Sequence, residues 1–137
     1  MAAGYSGTPL RQKLGIKDQH RIALLGAPRG FAGVLGVLPT GATVHTTLAG
    51  KQPFDVIVAF VTRRGELAKH IERCRPRMTP ACGLWIAWPK KASGVATEVT
   101  EDVVRQLALP TGLVDNKVCA IDDTWSGLRL VIRRELR

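Results

Sequence analysis

Apolar runs, each cut short by glycine, proline or charged residues, set the rhythm of this chain. Arg21-Ile22-Ala23-Leu24-Leu25 ends at Gly26, Phe54 to Val61 reads FDVIVAFV, and Gly83 to Trp88 reads GLWIAW. Such nearly continuous runs, rich in branched and aromatic residues, predict strands covered on both faces. Ala42 to Thr47 is β-branched and predicts a further strand. Near the C-terminus, Lys117 to Asp122 and Leu128 to Arg134 predict two strands joined by Asp123-Thr124-Trp125-Ser126-Gly127. In the last of these, Leu128, Leu130 and Ile132 alternate with Arg129, Val131 and Arg133, the pattern of a strand with one less-buried face.

Helical spacing falls between these runs. Leu10 to Leu14 predicts a short turn of helix closed by Gly15. Phe31 to Leu38 predicts an apolar helix stopped by Pro39, although Gly33 and Gly36 weaken its intrinsic propensity. Glu66 to Arg75 sets Leu67, Ile71, Cys74 and Met78 at a 3.6-residue period, with Pro76 and Pro80 ending the helix. Thr100 is a good N-cap for a helix through Ala108, where Glu101 and Asp102 complement the positive end and Val103, Val104 and Leu107 face inward.

Alternation of strand and helix predicts one α/β domain over residues 1–137, with residues 1–20 as an N-terminal arm and short helix. The expected architecture is a three-layer, Rossmann-like sheet, mostly parallel with a C-terminal antiparallel strand. In such sheets ligands bind beyond the carboxyl ends of the strands. Three segments are expected there: Gly26-Ala27-Pro28-Arg29-Gly30, Thr62-Arg63-Arg64-Gly65 and Trp88-Pro89-Lys90-Lys91. The Asp122–Ser126 turn joins them if the strand beginning near Lys117 runs parallel to the others. The candidate binding residues are therefore Gly26, Arg29, Gly30, Arg63, Lys90, Lys91, Asp122 and Trp125. Cations beside backbone amides at a helix start make a physical anion site. The competing reading has Lys90 and Lys91 pairing with Asp122 and Asp123 to pin the turn, and Trp88 and Trp125 packed as core.

Composition narrows this picture. Hydrophobic residues make up 45% and charged residues 23%, which excludes a disordered chain or a collagen-like fibre. No apolar run reaches the ~18–20 residues of a membrane span. The start MAAGYSGTPLRQK has no apolar core of a secretory signal, so a cytoplasmic location away from membranes is the expectation. The net charge of +9 suggests an anionic small molecule or protein as partner. It is dispersed, with eight basic and three acidic residues in 1–68 and twelve and eight in 69–137, which weakens the case for nucleic acid. Aromatic content of 5% leaves no obvious base-stacking platform.

Cys74, Cys82 and Cys119 are odd in number and lack C-x-x-C spacing, so neither a disulfide framework nor a metal site is expected. The Gly26 loop is neither a Walker A loop nor G-x-G-x-x-G. Ser126 lacks a G-x-S-x-G elbow, and no catalytic residue is assigned. Tyr5 and Ser6 are expected in an ordered N-terminal arm.

The segments GYSGTPL, KLGIK, RIALLGAPRGF, FDVIVAFV, LWIAWPKKASGVATEVTEDVVR and GLVDNKVCAIDDTWSGLRLVIRR resemble an uncharacterised bacterial family catalogued as a domain of unknown function. That resemblance implies no activity. More remotely, the layout is similar to a trimmed class I S-adenosylmethionine-dependent methyltransferase. In those enzymes a Gly-rich loop after the first strand cradles the cofactor, and an acidic residue ending the second strand binds the ribose. Here Gly26 to Gly30 lacks the acidic-then-triple-glycine pattern, Thr46-Thr47-Leu48-Ala49 offers no carboxylate, and one usual central strand is absent. The expectation is a non-catalytic binding module without cofactor, its anion-attracting rim at the strand ends. The alternatives are a degenerate S-adenosylmethionine-dependent transferase and a nucleic-acid-binding protein.

Overall fold

The computed structural model describes residues 8–137, so Tyr5 and Ser6 lie outside the described residues. The strands are β1 Arg21–Leu25, β2 Thr43–His45, β3 Phe54–Phe60, β4 Met78–Pro89, β5 Leu113–Ala120 and β6 Trp125–Ile132. The helices are α1 Leu10–Lys13, α2 Phe31–Leu35, α3 Arg64–Cys74 and α4 Glu101–Ala108. The strands form one sheet in the order β2-β1-β3-β4-β6-β5. β2, β1, β3 and β4 pair in parallel, while β6 is antiparallel to both β4 and β5. β5 therefore points the same way as β4, and its exit shares the carboxyl edge, as the sequence reading required. The fold is the expected Rossmann-like sheet with one antiparallel strand.

The unbroken apolar runs are explained by the two layers. Along β3, Ile57 and Ala59 face a core shared with Leu67, Ile71 and Cys74 of α3 and Val104 and Ala108 of α4. Val56, Val58 and Phe60 face the other core, with Leu14, Ile16, Phe31 and Leu35 around α1 and α2. Side chains alternate across a strand, so a strand covered on both sides must be apolar at every position. Trp85 of β4 is fully buried in the α1–α2 core, and its indole N–H donates to the Leu14 carbonyl at 3.1 Å. That bond anchors the end of α1 to the sheet.

Several boundaries differ from the sequence reading for local reasons. α2 stops at Leu35 because Gly36 adopts φ 76° and ψ −159°, outside helical space. α3 begins at Arg64, a 3₁₀ turn over Arg75–Arg77 follows it, and Met78 starts β4 instead of extending the helix. β4 begins at Met78 rather than Gly83. The β3–β4 register jumps from Phe54 opposite Met78 to Val56 opposite Gly83, and Pro80 sits in that irregularity, where a missing amide is tolerated. β5 begins at Leu113, ahead of Lys117, with a second irregularity between Asp115 and Lys117. β6 begins at Trp125, so the hairpin turn is shorter than expected. No helix among the described residues is long and apolar enough to cross a membrane.

The chain leaves β1 to form β2 on one side, then returns to form β3 on β1's other side. The order reverses between β1 and β3. Exit loops diverge at such a point and open a crevice beyond the strand ends.

Candidate functional site

Gly26 stands at the β1 exit with φ 67°. A Cβ there would lie 3.2 Å from the Phe60 carbonyl oxygen, a tight approach to the end of β3 that adds to the left-handed φ in favouring glycine. Gly30 caps α2 at φ 84° with open space around it, so its requirement is conformational and not steric. Arg29, between them, is exposed. This loop stands at the carboxyl edge where the strand order reverses.

The β3 exit lies next to it in the sheet, and its polar groups are largely answered from within the chain. Thr62 N–H donates to Glu66 Oε1 at 3.0 Å, and Arg64 N–H donates to Glu98 Oε1 at 2.9 Å. The Thr62 carbonyl accepts from the Glu98 amide at 2.8 Å and from the Thr97 hydroxyl at 3.0 Å. The loop after β4 thus folds back over β3 and sets a carboxylate at the positive end of α3, where an anion had been expected. Arg63 is exposed beside this cap and borders a cavity of about 380 Å³ with Thr62, Ala96, Thr97 and Glu98. On the outer face of α3 it also borders a groove with Lys69, His70 and Arg73, where burial pulls the His70 imidazole below its ordinary value.

Lys90, Lys91, Asp122 and Trp125 form a separate group at the β4 exit and the β5–β6 hairpin. Lys90 N–H donates to the Thr124 carbonyl at 2.7 Å, tying the two loops together. Asp122 Oδ1 accepts the amides of Thr124 and Trp125, each at 2.8 Å, so this carboxylate shapes its own turn. Arg105 of α4 pairs with Glu101, Asp102 and Asp115. The pairing of Lys90 and Lys91 with Asp122 is not formed.

Trp125 is half-buried and meets Phe60 edge-on at 5.1 Å between ring centres, and Phe60 meets Phe31 edge-on at 4.9 Å. These rings link the ends of β3, α2 and β6 beneath the carboxyl edge. Trp88 belongs to the opposite core. Phe31, Phe60 and Glu98 were not singled out by sequence. Phe60 was hidden as one more apolar residue in a strand, and nothing local ties Glu98 to Arg64.

Cys74 and Cys82 are buried, and burial pushes both thiols up to about 12. Neither is poised as a nucleophile. At the β2 exit Thr46 and Thr47 are exposed, and Thr47 Oγ1 accepts the Ala49 amide at 3.3 Å.

No protein-family model and no curated protein matches the chain. Solved structures do share its fold. A SAM-dependent methyltransferase from Aquifex aeolicus superposes with a TM-score of 0.62 at 14% identity, over 88% of this chain and 87% of that one. The N-methyltransferase NodS from Bradyrhizobium japonicum WM9 gives 0.61 at 12% identity, over 91% of each. Aeropyrum pernix fibrillarin, with natively bound S-adenosyl-L-methionine, gives 0.58 at 15% identity, over 93% of this chain and 70% of that one. At such identities the likeness is one of fold: the chain has a Rossmann-like, methyltransferase-like architecture. The resemblance to a family of unknown function gains no support, since no family model matches. The expectation of no cofactor is corrected by two of these structures, a SAM-dependent methyltransferase and a fibrillarin that holds S-adenosyl-L-methionine.

Proposed function

We propose that the crevice between the β1 and β3 exits binds S-adenosylmethionine, in a transferase of reduced type. The observation that carries this reading is Gly26, held left-handed against the Phe60 carbonyl at the reversal of strand order. The residues present fit the methionine end of such a ligand better than its ribose. The exposed Gly26–Gly30 loop brings backbone close to the crevice, and Arg29 supplies a cation for an α-carboxylate. At the β2 exit the hydroxyls of Thr46 and Thr47 stand in for a carboxylate, giving neutral and weaker hydrogen bonds to a ribose diol.

When bound, this cofactor supplies an electrophilic methyl group on a sulfonium. At the carboxyl edge, Glu66 and Glu98 by the β3 exit and Asp122 in the β5–β6 hairpin each accept backbone amides. Thermal unfolding with millimolar S-adenosylmethionine tests the proposal, with methionine and adenosine added separately as controls. A saturable rise with the intact cofactor supports it, since a ligand of the folded state raises the melting temperature. No rise at any concentration contradicts it.

A second reading rests on Asp122, whose carboxylate is engaged by its own turn and leaves Lys90 and Lys91 without it. These lysines then offer a contact to an anionic ligand or protein. Binding of tripolyphosphate that is lost in Lys90→Ala/Lys91→Ala supports this reading; unchanged binding removes it.

A further inference from the structure

The opposite edge of the sheet, where the strands begin, holds a cavity of about 350 Å³. That volume lies at the lower end of small-molecule sites, which run from about 300 to 1,000 Å³. Lys13, Lys17, Lys117 and Arg129 line it, with His20 and Asn116 beside them. Among the described residues Asp55 is the one carboxylate in the lining, and its Oδ2 accepts the Arg21 amide at 2.8 Å. The wall is therefore strongly cationic.

Arg129 distinguishes this cavity from an ordinary basic surface. It stands in the middle of β6, half-buried, with its side chain laid across Gly83 of β4. A Cβ at Gly83 would collide with the guanidinium, so the glycine makes the room in which it lies. Among the described residues Arg129 has neither a hydrogen-bond acceptor nor a carboxylate. Burial pulls its guanidinium below the ordinary value. A cation half withdrawn from water without a partner carries part of that desolvation cost, and an anion in the cavity would relieve it.

Two of the surrounding donors, Lys117 and His20, are held in place by bonds that leave an N–H for a ligand. Lys117 Nζ donates to the Lys13 carbonyl at 3.2 Å, closing α1 over the cavity from the β5 side. His20 Nδ1 accepts the Lys17 amide at 3.1 Å, so the neutral ring carries its proton on Nε2. A planar guanidinium fork beside compact ammonium groups matches a tetrahedral dianion better than a single carboxylate.

We propose that this cavity is a second ligand site, for a small molecule bearing a phosphate group, with Arg129 as its principal contact. It lies at the other end of the strands from the crevice and does not depend on the reading given to that crevice. The test follows the Arg129 Nε–H signal by NMR, together with calorimetry, as inorganic phosphate or glycerol 3-phosphate is added at constant ionic strength. Acetate serves as the monocarboxylate arm. Saturable phosphate binding with a shift of the Arg129 signal is expected, weakened at least tenfold in Arg129→Met. The Lys117→Met variant, which removes a second cation, is expected to weaken it several-fold and carries the test if Arg129→Met does not fold. Tighter binding of glycerol 3-phosphate than of inorganic phosphate identifies an esterified ligand; the reverse identifies free phosphate. Absence of saturable binding, undiminished binding in the folded variants, or preference for acetate would overturn the proposal.

Discussion

The Phe60 carbonyl oxygen lies 3.2 Å from the point where a side-chain carbon on Gly26 would stand. The β1 loop and the end of β3 meet there, and φ of 67° at Gly26 adds a conformational demand to the steric one. Replacing Gly26 by alanine imposes both penalties, about 1–3 kcal/mol for the left-handed backbone alone. Chemical denaturation should report that loss as a lower midpoint without a change in slope. A midpoint equal to wild type would mean that the loop turns without needing glycine.

Trp85 and Leu14 yield a second prediction. Trp85→Phe removes the donor to the Leu14 carbonyl and leaves a void in a fully buried site. The unsatisfied carbonyl alone costs about 1–3 kcal/mol. Exchange of the α1 amides should accelerate more than that of the α3 amides, because the bond ties α1 to the sheet. Uniform acceleration would assign the bond to global stability and not to α1.

Glu98 reaches α3 from the loop after β4, and Glu98→Gln weakens a charge-assisted bond at the positive end of the helix. A loss of about 0.3–1 kcal/mol is expected, smaller in high salt. An effect independent of salt would assign it to loop packing.

How far the chain could be read turns on the range of the interactions involved. β3 was readable because covering both faces of one strand leaves an apolar mark on every residue from Val56 to Phe60. The Thr100 cap was readable because its acceptor role for the Val103 amide is settled within one turn. The competing reading, in which Asp122 pairs with the lysines, failed because adjacency in sequence does not reveal that a carboxylate prefers its own turn amides. The contacts of Glu98 with Arg64 and of Trp125 with Phe60 join distant segments, and only the assembled sheet brings them together. The cationic cavity escaped notice for the same reason: α1, β5 and β6 each contribute isolated basic residues.

The thiols predict a pH dependence. Cys74 and Cys82 are raised from 9.0 to about 12 in the folded chain, so folding holds their protons more tightly than the unfolded state does. The corresponding stability is full below pH 9 and lost as pH rises from 9 toward about 12. Cys74→Ala/Cys82→Ala should therefore lose less stability over that interval than wild type, when each is compared with its own value at pH 8. Equal losses would show that other groups govern alkaline unfolding.

The central claim is the adenosyl ligand at the β1–β3 crevice. Calorimetric titration with S-adenosylhomocysteine, the demethylated product, tests it most directly, on wild type and on Gly26→Val in parallel. The account predicts saturable one-to-one binding to wild type and at least tenfold weaker binding to a folded Gly26→Val chain. Absence of heat and of competition with S-adenosylmethionine in wild type, or equal affinity in both chains, would contradict it.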